Sequence, residues 1–315
     1  MVGNTEWEDI PYNNHFLDIT DDLGCSKMKN TIITGDALEV LKTLPDESIN
    51  MSITSPPYWQ QRDYGVDGQI GIELSSQQYV DKLIKVFTEI KRLLKPDGTF
   101  WVNIGNTYNN KHLSTIPFDL ATKLSNIFIF RNSIIWEKAN CIPEACTDRF
   151  TNSYEYLFFF SKNPEYYFEQ QLESSVMSLE DRENRAKYGM KNTKSDGKGN
   201  IRGTELTNSE FSDKFIKESR NMRNVWKLPT SQTKVKHLAA YPEQLIERPI
   251  LAGCPSGGIV LDPFLGSGTT AIVAKKLGRY YLGIELNPEY VEIAQKQLNS
   301  TLGYIPNPWK SLGIM

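Results

Sequence analysis

Histidine and cysteine are scarce in this chain: three histidines (His15, His112, His237) and four cysteines (Cys25, Cys141, Cys146, Cys254) among 315 residues. Only Cys141 and Cys146 are close in sequence, and no spacing fits a zinc site, so no metal is expected. The cysteines read as buried free thiols rather than disulfides. No apolar run approaches the roughly 20 residues that cross a bilayer. The first nine residues, Met1-Val-Gly-Asn-Thr-Glu-Trp-Glu-Asp, are acidic and lack the basic and apolar regions of a signal peptide. These absences predict a cytoplasmic protein without membrane association.

An excess of positive charge is also missing, since the formal net charge is -3. Taken globally this speaks mildly against a nucleic-acid partner, but the distribution is uneven. Between Arg182 and Lys236 there are fourteen basic and six acidic residues, a surplus of eight in an acidic chain. Such a segment can face a phosphate backbone or be a solvated lysine-rich loop.

The rest has the texture of an α/β protein. Thr31 to Thr34 reads as a strand, Gly35-Asp36 as a turn, Ala37 to Leu44 as a helix and Ile49 to Thr54 as a strand. Val80, Leu83, Ile84, Phe87, Ile90 and Leu94 keep helical spacing behind a Ser75/Gln78 capping box. Pro96-Asp97-Gly98 predicts a turn before a strand over Thr99 to Ile104. Ile127 to Trp136 and Tyr154 to Phe160 are further apolar runs. After Pro164 the sequence turns polar, and Asn192 to Asn200 is close to low complexity. From His237 the α/β texture resumes. A helix runs from Pro242 to Gly253, Ile259 to Leu261 is a strand and Thr269 to Leu277 a helix. Tyr280 to Ile284 is a strand, and Asn287-Pro288 opens a last helix. Repeated strand-helix-strand units predict a parallel or mostly parallel sheet covered by helices. The expected domains are 1–164, a polar insert at 165–230, and 231–315.

Two segments follow strands and so face the crevice at the sheet's carboxyl edge. In Asp262-Pro-Phe-Leu-Gly-Ser-Gly-Thr-Thr270, glycines allow a ligand close to the backbone. The third glycine of a dinucleotide loop is absent, as is the Gly-Lys-Ser/Thr of a phosphate loop. Asp262 suits a cationic or hydroxylated ligand, and Glu285 ends the next strand, where an acid accepts ribose hydroxyls. In Ser55-Pro56-Pro57-Tyr58, two prolines stiffen the backbone and leave carbonyls as acceptors beside the Ser55 hydroxyl. Paired acceptors can orient an exocyclic amine towards a methyl donor. Tyr58 and Trp59 offer flat faces to a base lifted from a duplex.

Thr54-Ser-Pro-Pro-Tyr-Trp59 together with Asp262 to Thr270 resembles the two defining motifs of bacterial DNA amino-methyltransferases, in the motif order usually labelled beta. The resemblance covers most of the chain. Gly35-Asp36 is similar to the motif whose acid contacts the cofactor's adenine. His237-Leu-Ala-Ala-Tyr-Pro is similar to the helix closing the methionine side of the pocket, and Tyr281 to Glu285 to the ribose-binding strand. The resemblance implies a Rossmann-like, S-adenosylmethionine-dependent methyltransferase sheet with an inserted target-recognition region. It makes Ser55, Pro56, Pro57 and Tyr58 the catalytic set. Asp36, His237, Ala239, Tyr241, Asp262, Phe264, Gly266, Gly268, Thr269 and Glu285 become the S-adenosyl-L-methionine contacts. Trp59, Lys191, Lys194, Lys198, Arg202, Arg220 and Arg223 are the DNA-binding candidates.

The implied reaction is direct methyl transfer to duplex DNA within a restriction-modification system. Ser55 at the head of the motif favours N4 of cytosine, with N6 of adenine as the alternative. No Pro-Cys dipeptide occurs, so the nucleophile for carbon methylation of cytosine is missing. Methylation of RNA or a protein amide carries less weight, as do a nicotinamide oxidoreductase and a non-enzymatic DNA-binding protein. A cognate endonuclease is a candidate partner, and a homodimer is an open option.

Overall fold

A computed structural model describes residues 28–175, 219–231 and 241–301. In chain order the elements begin with β1 Thr31–Thr34, α1 Ala37–Thr43, β2 Ile49–Thr54, α2 Ser76–Leu93 and β3 Leu94–Ile104. The short strands β4 Tyr108–Asn109 and β5 His112–Leu113, α3 Ile116–Ser125, β6 Ile129–Lys138 and β7 Tyr154–Ser161 follow. Next come β8 Leu172–Ser174, β9 Ser219–Asn221 and β10 Val225–Leu228. The chain returns through α4 Glu243–Gly253, β11 Ile259–Asp262, α5 Thr269–Lys276, β12 Tyr280–Glu285 and α6 Pro288–Ser300.

Eight strands form one sheet in the order β1-β12-β11-β2-β3-β7-β6-β10. Only β7 runs against the others among the described strands of this sheet. Period-two alternation splits the central strands between two cores. Phe100, Val102, Ile104, Phe158 and Phe160 pack with α1, α2 and α3 on one face. Trp101, Leu157 and Phe159 pack with α4 and α5 on the other, where Trp101 and Phe159 stack at 3.9 Å. A smaller cluster of Leu265, Ala271, Ile272, Ala294 and Leu298 seats α6 on α5. Each buried Leu, Ile or Phe contributes about 1.5–3 kcal/mol of transfer free energy.

Most helix starts are those the sequence signals. Asp36 caps α1 by accepting from the Glu39 amide at 3.0 Å, Ser75 caps α2 from Gln78 at 3.2 Å, and Asn287 caps α6 from Glu289 at 2.9 Å. The predicted Pro96–Gly98 turn instead lies within β3 as an irregularity. Leu94 pairs with Ile49 and Thr99 with Met51, so the extra residues bulge out of the ladder. Helix α3 has no clear signal in the sequence pattern, because Thr115 provides no side-chain cap and the helix is short. Val225–Leu228, at the end of the polar segment, pairs with β6 and adds the sheet's edge strand.

Cys254 is buried, and burial pushes its thiol up to about 12. Cys141 and Cys146 are free but only half-buried, because they lie in the irregular loop between β6 and β7 rather than in the core. Cys25 lies outside the described residues. No described helix is long and apolar enough to cross a membrane.

Candidate active site

β11 and β2 are neighbours, with Val260 opposite Met51 and Leu261 opposite Ser52. From β11 the chain crosses through α5 to β12 on one side; from β2 it crosses through α2 to β3 on the other. The crossovers diverge there, and a crevice opens outside the strands' carboxyl ends, the place where open α/β sheets bind ligands. A cavity of about 320 Å³ occupies it. Its wall includes both motifs read from the sequence, Ser55 to Tyr58 and Asp262 to Ser267.

Asp262 ties the two motifs together. Its Oδ1 accepts from the Thr54 hydroxyl at 2.6 Å and the Phe264 amide at 3.0 Å. Its Oδ2 accepts from the Tyr241 hydroxyl at 3.2 Å and from the Thr270 hydroxyl. Burial raises the Asp262 carboxyl above the usual range, with these donors pulling the other way. The Tyr241 phenol is held well above its ordinary value by burial and by Asp262. Asp262 therefore fixes the end of β2 against the glycine loop.

On the cofactor side, Glu285 Oε2 accepts from the Gly266 amide at 2.7 Å, and Oε1 accepts from the Asn287 amide at 2.8 Å. Each oxygen keeps capacity for another donor. Burial raises the Glu285 carboxyl, against those backbone bonds and with Asp262 adding to it. Gly266 has φ +55°, and a Cβ there would meet nothing within 4 Å, so the loop leaves open space beside Glu285. Asp36, Phe264 and Thr269 also line the cavity.

Not every expected residue reaches the cleft. Gly268 is not on its wall: with φ +93° it heads α5, and a Cβ would lie 2.9 Å from that of Ala294. Its smallness serves helix packing. Trp59 is also off the wall, since its indole donates to the Glu73 carbonyl at 2.9 Å and its ring packs on the core. Arg220 and Arg223 both pair with Glu173, at 2.9 and 2.8 Å, across the β8–β9 pair. Lys191, Lys194, Lys198, Arg202, His237 and Ala239 lie outside the described residues.

The structure adds residues that sequence reasoning missed. The loop after Trp59 brings Gln61, Arg62, Tyr64 and Gln69 to the cleft, and Tyr64 meets Tyr290 of α6 edge-on at 6.1 Å. On the opposite side lie Asn103, Trp136 and Glu155. The Tyr58 hydroxyl donates to Glu155 at 2.7 Å, and burial with the adjacent carboxylate raises its phenol well above the ordinary range. The available signal was polarity: Asn103 and Glu155 are polar in otherwise apolar strands. The Tyr79 hydroxyl donates to the Pro57 carbonyl at 2.9 Å, so one proline acceptor is already engaged.

The profile described as DNA methylase, of the N6/N4 type, matches residues 49–296. The type II methyltransferase M.Cfr9I of Citrobacter freundii is 36% identical over 298 residues, covering 85% of this chain and 87% of its own. M.SmaI of Serratia marcescens is 34% identical over 297 residues, covering 85% and 90%. Among solved structures, a DNA modification methylase of Thermus thermophilus in complex with S-adenosyl-L-methionine has a TM-score of 0.57 at 25% identity, covering 87% of this chain and 96% of its own. The cytosine-N4-specific PvuII DNA methyltransferase shares the fold at 20% identity, with a TM-score of 0.62 and 91% of both chains covered.

Proposed function

The chain belongs to the N6/N4 family of DNA methylases, and from that premise we propose that it transfers a methyl group from S-adenosyl-L-methionine to N4 of cytosine in duplex DNA. The observation that carries the reading is the single cleft in which Ser55 to Tyr58 and the Gly266–Glu285 pair face each other. Bound S-adenosyl-L-methionine supplies an electrophilic methyl group. The cleft fits it: the open space at Gly266 would take the ligand against the backbone, and Glu285 would accept ribose hydroxyls. Asp36 would serve the adenine side, and its one capping bond leaves acceptor capacity.

On the other side, the Ser55 hydroxyl and the Pro56 carbonyl hold the amine, because Tyr79 already occupies the Pro57 carbonyl. Holding both amine hydrogens aims the nitrogen lone pair at the donor without a covalent intermediate. The Tyr58 ring stacks on the lifted base. The preference for cytosine N4 over adenine N6 rests on Ser55 at the head of the motif. The type II relatives support a place in a restriction-modification system alongside a cognate endonuclease.

Nucleosides from DNA treated with the protein and cofactor, separated by mass spectrometry, test the assignment. N4-methylcytosine is expected; N6-methyladenine alone would replace the base and leave the site standing. Ser55→Ala should cut turnover by about 100-fold with cofactor affinity unchanged, since its partner is the amine.

A further inference from the structure

We propose that Glu155 is a positioning residue for methyl transfer: it fixes the Tyr58 ring in the one orientation that presents its face to the target base. The inference rests on the proposed stacking role of Tyr58.

Glu155 lies at the start of β7 with its side chain 13% exposed, and its three polar neighbours all donate. Oε2 accepts from the Tyr58 hydroxyl at 2.7 Å and from Asn103 Nδ2 at 2.9 Å. Oε1 pairs with Lys138 Nζ at 2.7 Å. Asn103 Nδ2 also donates to the Tyr156 carbonyl at 3.2 Å, which fixes the amide's orientation. Only an acceptor-only group can satisfy a phenol, an amide and an ammonium together; a glutamine would turn its own donor towards one of them.

The arrangement holds Tyr58 at both ends. Its hydroxyl is anchored on Glu155, and the peptide carbonyl before it is anchored on Tyr79. Gly105 keeps the space clear, because a Cβ there would stand 3.0 Å from Glu155 Cγ and 3.2 Å from Tyr58 Cε2. Trp136 lies opposite Glu155 in the β6–β7 register and lines the same cleft, with Lys138 over its ring at 5.5 Å. The carboxylate thus sets ring geometry before the base arrives, and preorganisation of this kind acts on the rate of the step rather than on cofactor binding.

A double-mutant cycle tests the assignment, with Tyr58→Phe, Glu155→Ala and the pair measured in single turnovers at saturating DNA and cofactor. Each single variant should lose about 10- to 100-fold in rate with S-adenosyl-L-methionine affinity within about twofold, and the pair should be no slower than the worse single variant. Multiplying losses, an unchanged rate in Glu155→Ala, or a parallel loss of cofactor affinity would overturn it. If Glu155→Ala does not fold, Glu155→Gln with Lys138→Met takes its place in the same cycle. That variant restores an uncharged acceptor for Tyr58, so it should recover most of the rate lost in Glu155→Gln alone, and no recovery counts against the proposal. Wild-type protein without DNA methylation would refute the stacking role itself, whereas active wild type with multiplying losses refutes only the part given to Glu155.

Discussion

Glu285 does two jobs with one carboxylate. It pins the glycine loop through the Gly266 amide and turns the chain into α6 through the Asn287 amide. Glu285→Ala should weaken S-adenosyl-L-methionine binding by about 1.5–3 kcal/mol, read by calorimetric titration, and unchanged affinity in the folded variant would remove it from the site. Its raised carboxyl also gives binding a pH dependence. The charged form is the better acceptor for ribose hydroxyls, so affinity should fall as pH drops through that raised value, at a higher pH than an exposed glutamate would give. Glu285→Gln should flatten the profile. Fold stability responds with the opposite sign. The folded chain holds the Asp262 and Glu285 protons longer than the unfolded chain does, so their contribution is fully present below the ordinary carboxyl range. It is lost as pH rises through the raised values. Melting curves with and without cofactor, between about pH 4 and 8, separate the two effects.

The turn from β11 into α5 contains two glycines with different duties. Both have positive φ, +55° at Gly266 and +93° at Gly268, so any side chain adds strain at either position. At Gly268 an added Cβ also runs into Ala294 of α6, and Gly268→Ala should lower stability by about 1–3 kcal/mol in urea unfolding. At Gly266 an added side chain enters open space beside the cofactor cleft. Gly266→Val should therefore cost about 1–2 kcal/mol of fold stability from backbone strain while sharply reducing cofactor affinity. If Gly268→Ala reduced affinity in the same proportion with an unchanged urea midpoint, the division between packing and binding would be wrong.

Across the whole molecule, charge and cleft are separated in sequence. The chain is acidic overall, yet fourteen of its basic residues fall between Arg182 and Lys236. Residues 165–230 are proposed to select the DNA target. Replacing them with the matching segment of a relative of different specificity should change the methylated site and leave cofactor affinity intact, as sequencing of methylated DNA would report. DNA affinity should fall linearly with log salt, at about 0.9 per phosphate neutralised. A swap that leaves the methylated site where it was would locate target choice elsewhere.

Strand and helix positions were readable because local rules decide them: period-two runs for β7 and β12, capping residues for α1, α2 and α6, and strand-end loops for the two motifs. The candidate cleft was readable to the same extent, since both motifs follow strands and every strand end of a parallel sheet points to one edge. Sheet order decided the rest. It made β2 and β11 neighbours, so that Thr54 could bond Asp262, and it set β7 beside β3, so that Glu155 could reach Tyr58 and Asn103. Nothing local fixes such pairs: the bonds join residues 208, 97 and 52 positions apart. Gly268 and Trp59 follow the same logic in reverse. Their motif positions suggested ligand contact, and packing against α6 and bonding to Glu73 turned them to the fold instead, because where a side chain points is settled by what the rest of the chain places around it.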